Sequence, residues 1–231
     1  MDSNDTRYRR QDALVLDRAP GLEIDDAARR VLRNTYLLLA LSLAVSAAAA
    51  GASAALALPH PGIVITLVGF FGLLFAIERF KNRAAGIGLV LLLTGFMGYT
   101  LGPIIGYYLS MANGAQTVMT AFGGTAAIFV GLSAYAATTR RNFGFMGSFL
   151  FVGILVAFLA GLGAIFFEMP ALSLAVSAMF VLLMSGLILY QTNAIVRGGE
   201  TNYVTATVTL FVSLFNLFTS LLHLLGFASN E

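Results

Sequence analysis

Residues 203–227 read YVTATVTLFVSLFNLFTSLLHLLGF, a charge-free run long enough to cross a bilayer. Polar side chains nevertheless thread through it. Asn202, Thr205, Thr209, Ser213, Asn216, Ser220 and His223 follow one another at separations of 3, 4, 4, 3, 4 and 3, a mean of 3.5, which is one face of one helix. Val204, Val208, Leu210, Phe211, Leu214, Leu217 and Phe218 fill the intervals. A polar stripe along a whole membrane helix cannot face lipid cheaply. The pattern therefore predicts a last helix at the centre of a bundle, its stripe turned toward the other spans. Two readings of the stripe stand side by side: hydrogen-bonded glue between helices, and the wall of an ion or proton path.

Six further apolar runs precede it: Thr35–Leu58, Ile63–Ile77, Ala84–Leu109, Thr117–Thr138, Phe143–Phe167 and Ala171–Val196. A spanning helix takes about 20 residues. The second run is short, and Glu78 and Arg79 can snorkel to the interface to lengthen it. Strands of a membrane barrel would run to about 10 residues with strict alternation, whereas these segments are longer and apolar on all sides. Composition agrees. The chain is 58% hydrophobic and 10% charged, with a mean hydropathy of +0.87, where a soluble domain is about 25% charged. The expected architecture is an all-α membrane protein whose residues 34–231 form seven transmembrane helices with the last one central.

The few charges carry the orientation. Arg7, Arg9, Arg10, Arg18, Arg29, Arg30 and Arg33 precede the first span. Arg79, Lys81 and Arg83 lie between the second and third, Arg140 and Arg141 between the fourth and fifth, and Arg197 between the sixth and seventh. All 13 basic residues thus fall on one side of a seven-helix chain. The positive-inside rule puts the N-terminus in the cytoplasm and Glu231 outside. A missing or extra helix would scramble this partition. Residues 1–33 read as a cytoplasmic tail. It is largely disordered by composition, with a short helix near 23–33 whose acids come first and arginines last, as a helix dipole favours.

Most site chemistry is excluded. The chain has no Cys and only two His, so no thiolate or imidazole metal centre is expected, and no cofactor. A formal net charge of +2 is no phosphate-binding patch, so nucleic acid is not an expected partner. A serine dyad would need Ser133 and His223 in contact. Ser133 lies about 8 Å from the inner face and His223 about 30 Å from it at 1.5 Å per residue, so the two cannot reach the roughly 3 Å that proton transfer requires. No Asp follows Asp26, so paired intramembrane aspartates are absent. No enzyme is expected.

Two other features stand out. Gly95, Gly98, Gly102 and Gly106 crowd the third span, the last three on one face, with Pro103 among them. Small residues at this spacing let helix backbones approach closely, and Pro103 is expected to kink the helix. Tight packing and a gating hinge are both consistent with this. Gln191 lies about 9 Å in from the Arg197 end, and Ser213 about 15 Å in from Tyr203. With Thr209 and Asn216 they are the candidate polar core or ion path. Neither Gln191 nor Ser213 titrates, and a proton relay or pH switch needs groups that do.

The stretch Thr94-Gly95-Phe96-Met97-Gly98-Tyr99-Thr100-Leu101-Gly102-Pro103-Ile104 resembles the signature of the Bax inhibitor-1 (TMBIM) family. So do Gly198-Gly199-Glu200-Thr201-Asn202-Tyr203, Ala206-Thr207-Val208 and Phe215-Asn216-Leu217-Phe218. Val31-Leu32-Arg33-Asn34-Thr35-Tyr36, Gly123-Gly124-Thr125-Ala126 and Leu225-Gly226-Phe227-Ala228-Ser229 are similar to its bacterial branch. The resemblance covers the chain from Val31 onward and implies seven helices with the last inside a ring of the others. It also implies a bacterial inner-membrane protein whose partner is FtsH, a membrane-anchored, ATP-driven protease working on the cytoplasmic side. That protease would be inhibited by a slow substrate whose tail, with Arg7, Arg9, Arg10 and Arg18, is the handle. Some relatives are pH-sensitive calcium leak channels with an acid on each of the last two helices. The corresponding positions here are Gln191 and Ser213, so both acids are missing, and calcium or proton conduction is the alternative function.

Overall fold

A computed structural model describes residues 26–229. They form seven helices: α1 (Asp26–Ala55), α2 (Ile63–Phe80), α3 (Ala84–Leu109), α4 (Gly114–Thr138), α5 (Met146–Phe166), α6 (Pro170–Val196) and α7 (Tyr203–Ala228). Each is long and apolar enough to cross a membrane. Inside a bilayer no water satisfies backbone groups, so a segment that enters must close its own hydrogen bonds as a helix.

The boundaries follow local chemistry. α1 begins well before its apolar run, so residues 26–33 of the expected short helix are the first turns of the spanning helix itself, and residues 23–25 lie outside the described residues. It stops at Ala55 because the chain reverses through Ala57 at φ 47° and Gly62 at φ 87°, with Pro59 and Pro61 between them. Only glycine holds the second of these conformations without strain. α2 runs on to Phe80, taking in Glu78 and Arg79 as flanks. Glu78 pairs with Lys81 on the surface, an exposed contact worth little. α6 starts on Pro170, whose missing N–H is no loss in a first turn.

α7 packs against α1, α3, α4 and α6. No residue from Asn202 through Gly226 is exposed. Leu210, Phe211, Leu214 and Leu217 meet Leu38 and Leu39 of α1, Val90 and Leu93 of α3, and Met184 and Ile188 of α6 in one core. The central last helix expected from the stripe is thus what the fold shows. α2 and α5 are peripheral: Ile77 is the one buried residue of α2, and α5 buries Leu150, Ala157 and Ala164. Phe75 and Phe149 point outward, 76% and 70% exposed, which water would penalise and lipid does not.

α1 and α3 share the closest seam. A methyl group on Gly98 would sit 2.8 Å from the Ser46 Cα and 2.9 Å from its carbonyl carbon. One on Gly102 would sit 2.8 Å from the Ala50 oxygen. The helix continues through Pro103. Gly106, one turn further along the stripe, has nothing within 4 Å, and Gly95 would meet only Val45 Cγ1 at an ordinary 3.6 Å. The four glycines therefore divide into two that carry a backbone contact and two that do not.

Candidate functional site

The α7 stripe turns most of its hydrogen bonds onto its own helix. The Thr209 hydroxyl donates to the Thr205 carbonyl at 3.1 Å, the Ser213 hydroxyl to the Thr209 carbonyl at 2.7 Å, and the Asn216 Nδ2 to the Val212 carbonyl at 2.8 Å. This is the usual refuge of a hydroxyl inside a helix when no other partner is near. Cross-helix bonds from α7 are few. The Thr207 hydroxyl donates to the Tyr203 carbonyl at 2.7 Å and reaches the Thr35 carbonyl of α1 at 3.3 Å. His223 Nδ1 lies 2.9 Å from the Ser177 hydroxyl of α6.

Ser177, not Ser133, is thus the serine that His223 meets. The Ser177 hydroxyl is also 3.0 Å from the Ser173 carbonyl and has one hydrogen to give. Once it is given there, the imidazole must donate from Nδ1, and no base remains on that side to activate the oxygen. The pair ties α6 to α7 rather than performing chemistry.

Gln191 is 6% exposed, and its Nε2 has no partner among the described residues. No hydrogen bond joins it to Ser213, Thr209 or Asn216. Four further buried hydroxyls share its condition near the same end of the bundle: Thr35, Ser133, Thr192 and Thr205. Two cross-helix bonds set the level. Thr207 meets Thr35, and the Asn193 Nδ2 reaches the Ala136 carbonyl at 3.5 Å. All five groups therefore lie within three turns of the helix ends that carry Lys and Arg. An unmet buried donor costs about 1–3 kcal/mol, so this layer is the part of the core with most to gain from polar company.

The same end is fastened across its loops. Asn193, 2% exposed, accepts from the Phe143 N–H at 3.2 Å and donates to the Arg141 carbonyl at 3.2 Å. The Arg197 guanidinium donates to the Arg140 carbonyl. Asn202 caps α7 by accepting from Val204 N–H at 2.9 Å and Thr205 N–H at 3.2 Å, and its Nδ2 donates to Asn82 at 2.8 Å. Sequence reasoning passed over Asn193 and Asn82. An asparagine in the last turn of an otherwise apolar helix was the available signal for Asn193.

No group of three or more His, Cys, Asp or Glu that could hold a metal ion occurs among the described residues. Arg7, Arg9, Arg10 and Arg18 lie outside them. Arg29, Arg30 and Arg33 are exposed at the start of α1, at the same end as Arg83, Arg140 and Arg197.

A family model described as "Inhibitor of apoptosis-promoting Bax1" matches residues 28–230. An Escherichia coli K12 protein named "Modulator of FtsH protease YccA" is 50% identical over 205 residues, which is 89% of this chain and 93% of that one. A protein from another E. coli strain with the same identity and coverage is named "Inner membrane protein YccA". An uncharacterized Pseudomonas aeruginosa protein is 49% identical over 201 residues, 87% of this chain and 90% of its own.

Proposed function

The chain belongs to the Bax inhibitor-1 family, and from that premise we propose that it is an inner-membrane regulator of FtsH, binding and inhibiting the protease as its slow substrate. The observation that carries this is the 50% identity over 89% of the chain to a protein named as a modulator of that protease. The charge partition supports the geometry. With every Lys and Arg at one end, the N-terminus is cytoplasmic and the C-terminus periplasmic. The residues ahead of α1 then stand on the side where an ATP-driven machine can take hold, with Arg7, Arg9, Arg10 and Arg18 as the recognition elements of a tail. The chain is a regulator and not an enzyme.

The test is co-purification: a tagged chain drawn from membranes in mild detergent should bring FtsH with it. Deleting residues 1–21 should abolish both the inhibition and the chain's own turnover. A tail-less protein that still inhibits would show that the tail is no handle.

The unmet polar atoms around Gln191 favour a second reading, a cation or proton leak in which Gln191, Thr209, Ser213 and Asn216 line the path. Reconstituted in liposomes, such a protein would pass calcium or protons, and Asn216→Leu would lower the flux. Vesicles silent across the pH range would remove this reading.

A further inference from the structure

We infer that the α1–α3 seam, built on Gly98, Gly102 and Ser53, sets how slowly the protease can draw this chain out of the membrane; the inference rests on the tail being the handle. α1 is the first span beyond that handle, so a pull on the tail acts along its axis. α1 packs on α3 rather than lying along α2, its neighbour in sequence. Contacts along the seam advance together. Val45 faces Gly95, Ser46 faces Gly98, and Ala50 and Ser53 face Gly102. The two helices are therefore parallel, and a pull on α1 loads the whole seam in shear. In shear all contacts resist at once, whereas in peeling they fail turn by turn.

Three details oppose sliding. At Gly98 the Ser46 backbone sits where a Cβ would be, and at Gly102 the Ser53 side chain and the Ala50 carbonyl oxygen do, so the helices must separate before one can pass the other. Pro103 lacks the N–H that would serve the Tyr99 carbonyl four residues back, and the Ser53 hydroxyl donates to that carbonyl at 3.1 Å. Sliding strips this bond where no water can replace it. The ends are tied as well, by the Tyr99 hydroxyl donating to the Pro59 carbonyl at 2.7 Å and by Thr207 reaching Thr35. Forced unfolding follows the unfolding rate rather than equilibrium stability, so a local interlock on the first pulled element governs the process.

The experiment uses the full chain with FtsH and ATP in proteoliposomes, following loss of the chain. Gly98→Ala should be degraded about tenfold faster, the scale of an overpacked contact. Gly106→Ala, on the same stripe but facing open space, should keep the wild-type rate. Gly186→Ala crowds the Leu150 Cδ2 at 2.9 Å in the α5–α6 seam. It should leave the rate within about twofold even where it lowers the unfolding temperature as much as Gly98→Ala does. Equal acceleration by G98A and G186A at matched stability would overturn the seam in favour of the bundle as a whole. Ser53→Ala keeps the Cβ, removes only the hydroxyl, and should accelerate loss a few-fold, which covers the case in which G98A fails to fold. Because the chain has no cysteine, Val45→Cys with Gly95→Cys can be cross-linked across the seam. Oxidation should halt degradation and reduction restore it, and an oxidised chain lost at the reduced rate would also overturn the proposal. Pulling the N-terminus mechanically, without protease, separates the two readings. A first rupture weakened by G98A, in a chain that FtsH does not process, would keep the interlock but discard the handle and the seam's role in processing. A rupture unchanged by G98A would discard the interlock.

Discussion

α2 and α7 have nearly the same mean hydropathy over their most apolar stretches, 2.0 and 1.9, yet 6% of that stretch is buried in α2 and 50% in α7. Hydropathy thus decides that a segment enters the membrane but not where it sits within the bundle. Lipid tails are as apolar as leucine, so moving a helix from lipid to the centre gains little from the hydrophobic effect. What it gains is close packing and the shelter of its polar groups from lipid. α7 offers Thr, Ser, Asn and His on a repeating face, and α2 offers phenylalanines with a single close fit, Gly69 against the Phe96 ring at 2.6 Å from a would-be Cβ.

The difference can be broken by substitution. Leu217→Ala in α7, at a position with no exposure, should lower unfolding free energy by about 2–5 kcal/mol in nanodiscs. Phe75→Ala in α2 removes a larger side chain that faces lipid, and should cost under about 0.5 kcal/mol. Equal losses would erase the distinction between core and periphery. The helix starts differ next. α7 is capped by the Asn202 side chain, while Gly62 gives α2 no side-chain cap. Asn202→Ala should cost about 1 kcal/mol and loosen the 81–83 loop through the lost Asn82 bond, read as faster amide exchange there. Of the changes within the bundle centre, Thr207→Val should cost least, about 0.6 kcal/mol, typical of a single interhelical hydrogen bond in lipid. A loss several times larger would make this bond, rather than the packing around it, what centres α7.

Much of the fold was legible in the sequence. The spans were, because a bilayer imposes a minimum length and forbids interior charge, and the third run matched α3 at both ends. The enclosure of α7 was legible because its stripe repeats at the helical period. The site was less so. The spacing of Gly98, Gly102 and Gly106 is uniform, but only the first two meet α1, since contact depends on how far α1 extends alongside α3 before the chain reverses near Ala57. The pairing of Ser177 with His223 is not legible, because the two are 46 residues apart and nothing local in either helix marks it. The role of Asn193 is not legible either, because its partners are backbone groups, and any loop sequence presents the same amides.

The sequence by itself determined that the chain crosses a membrane as helices, that its basic residues gather at one end, and that the last helix cannot face lipid. These are transfer and solvation rules, which read composition and period one segment at a time. Tertiary structure alone decided that α1 passes over α2 to lock onto α3, that Ser53 takes up the carbonyl freed by Pro103, and that the Gln191 Nε2 is buried without a partner among the described residues. Each of these depends on which surfaces meet, and between helices of nearly equal apolarity that choice is made by shape and by unmatched hydrogen-bonding groups.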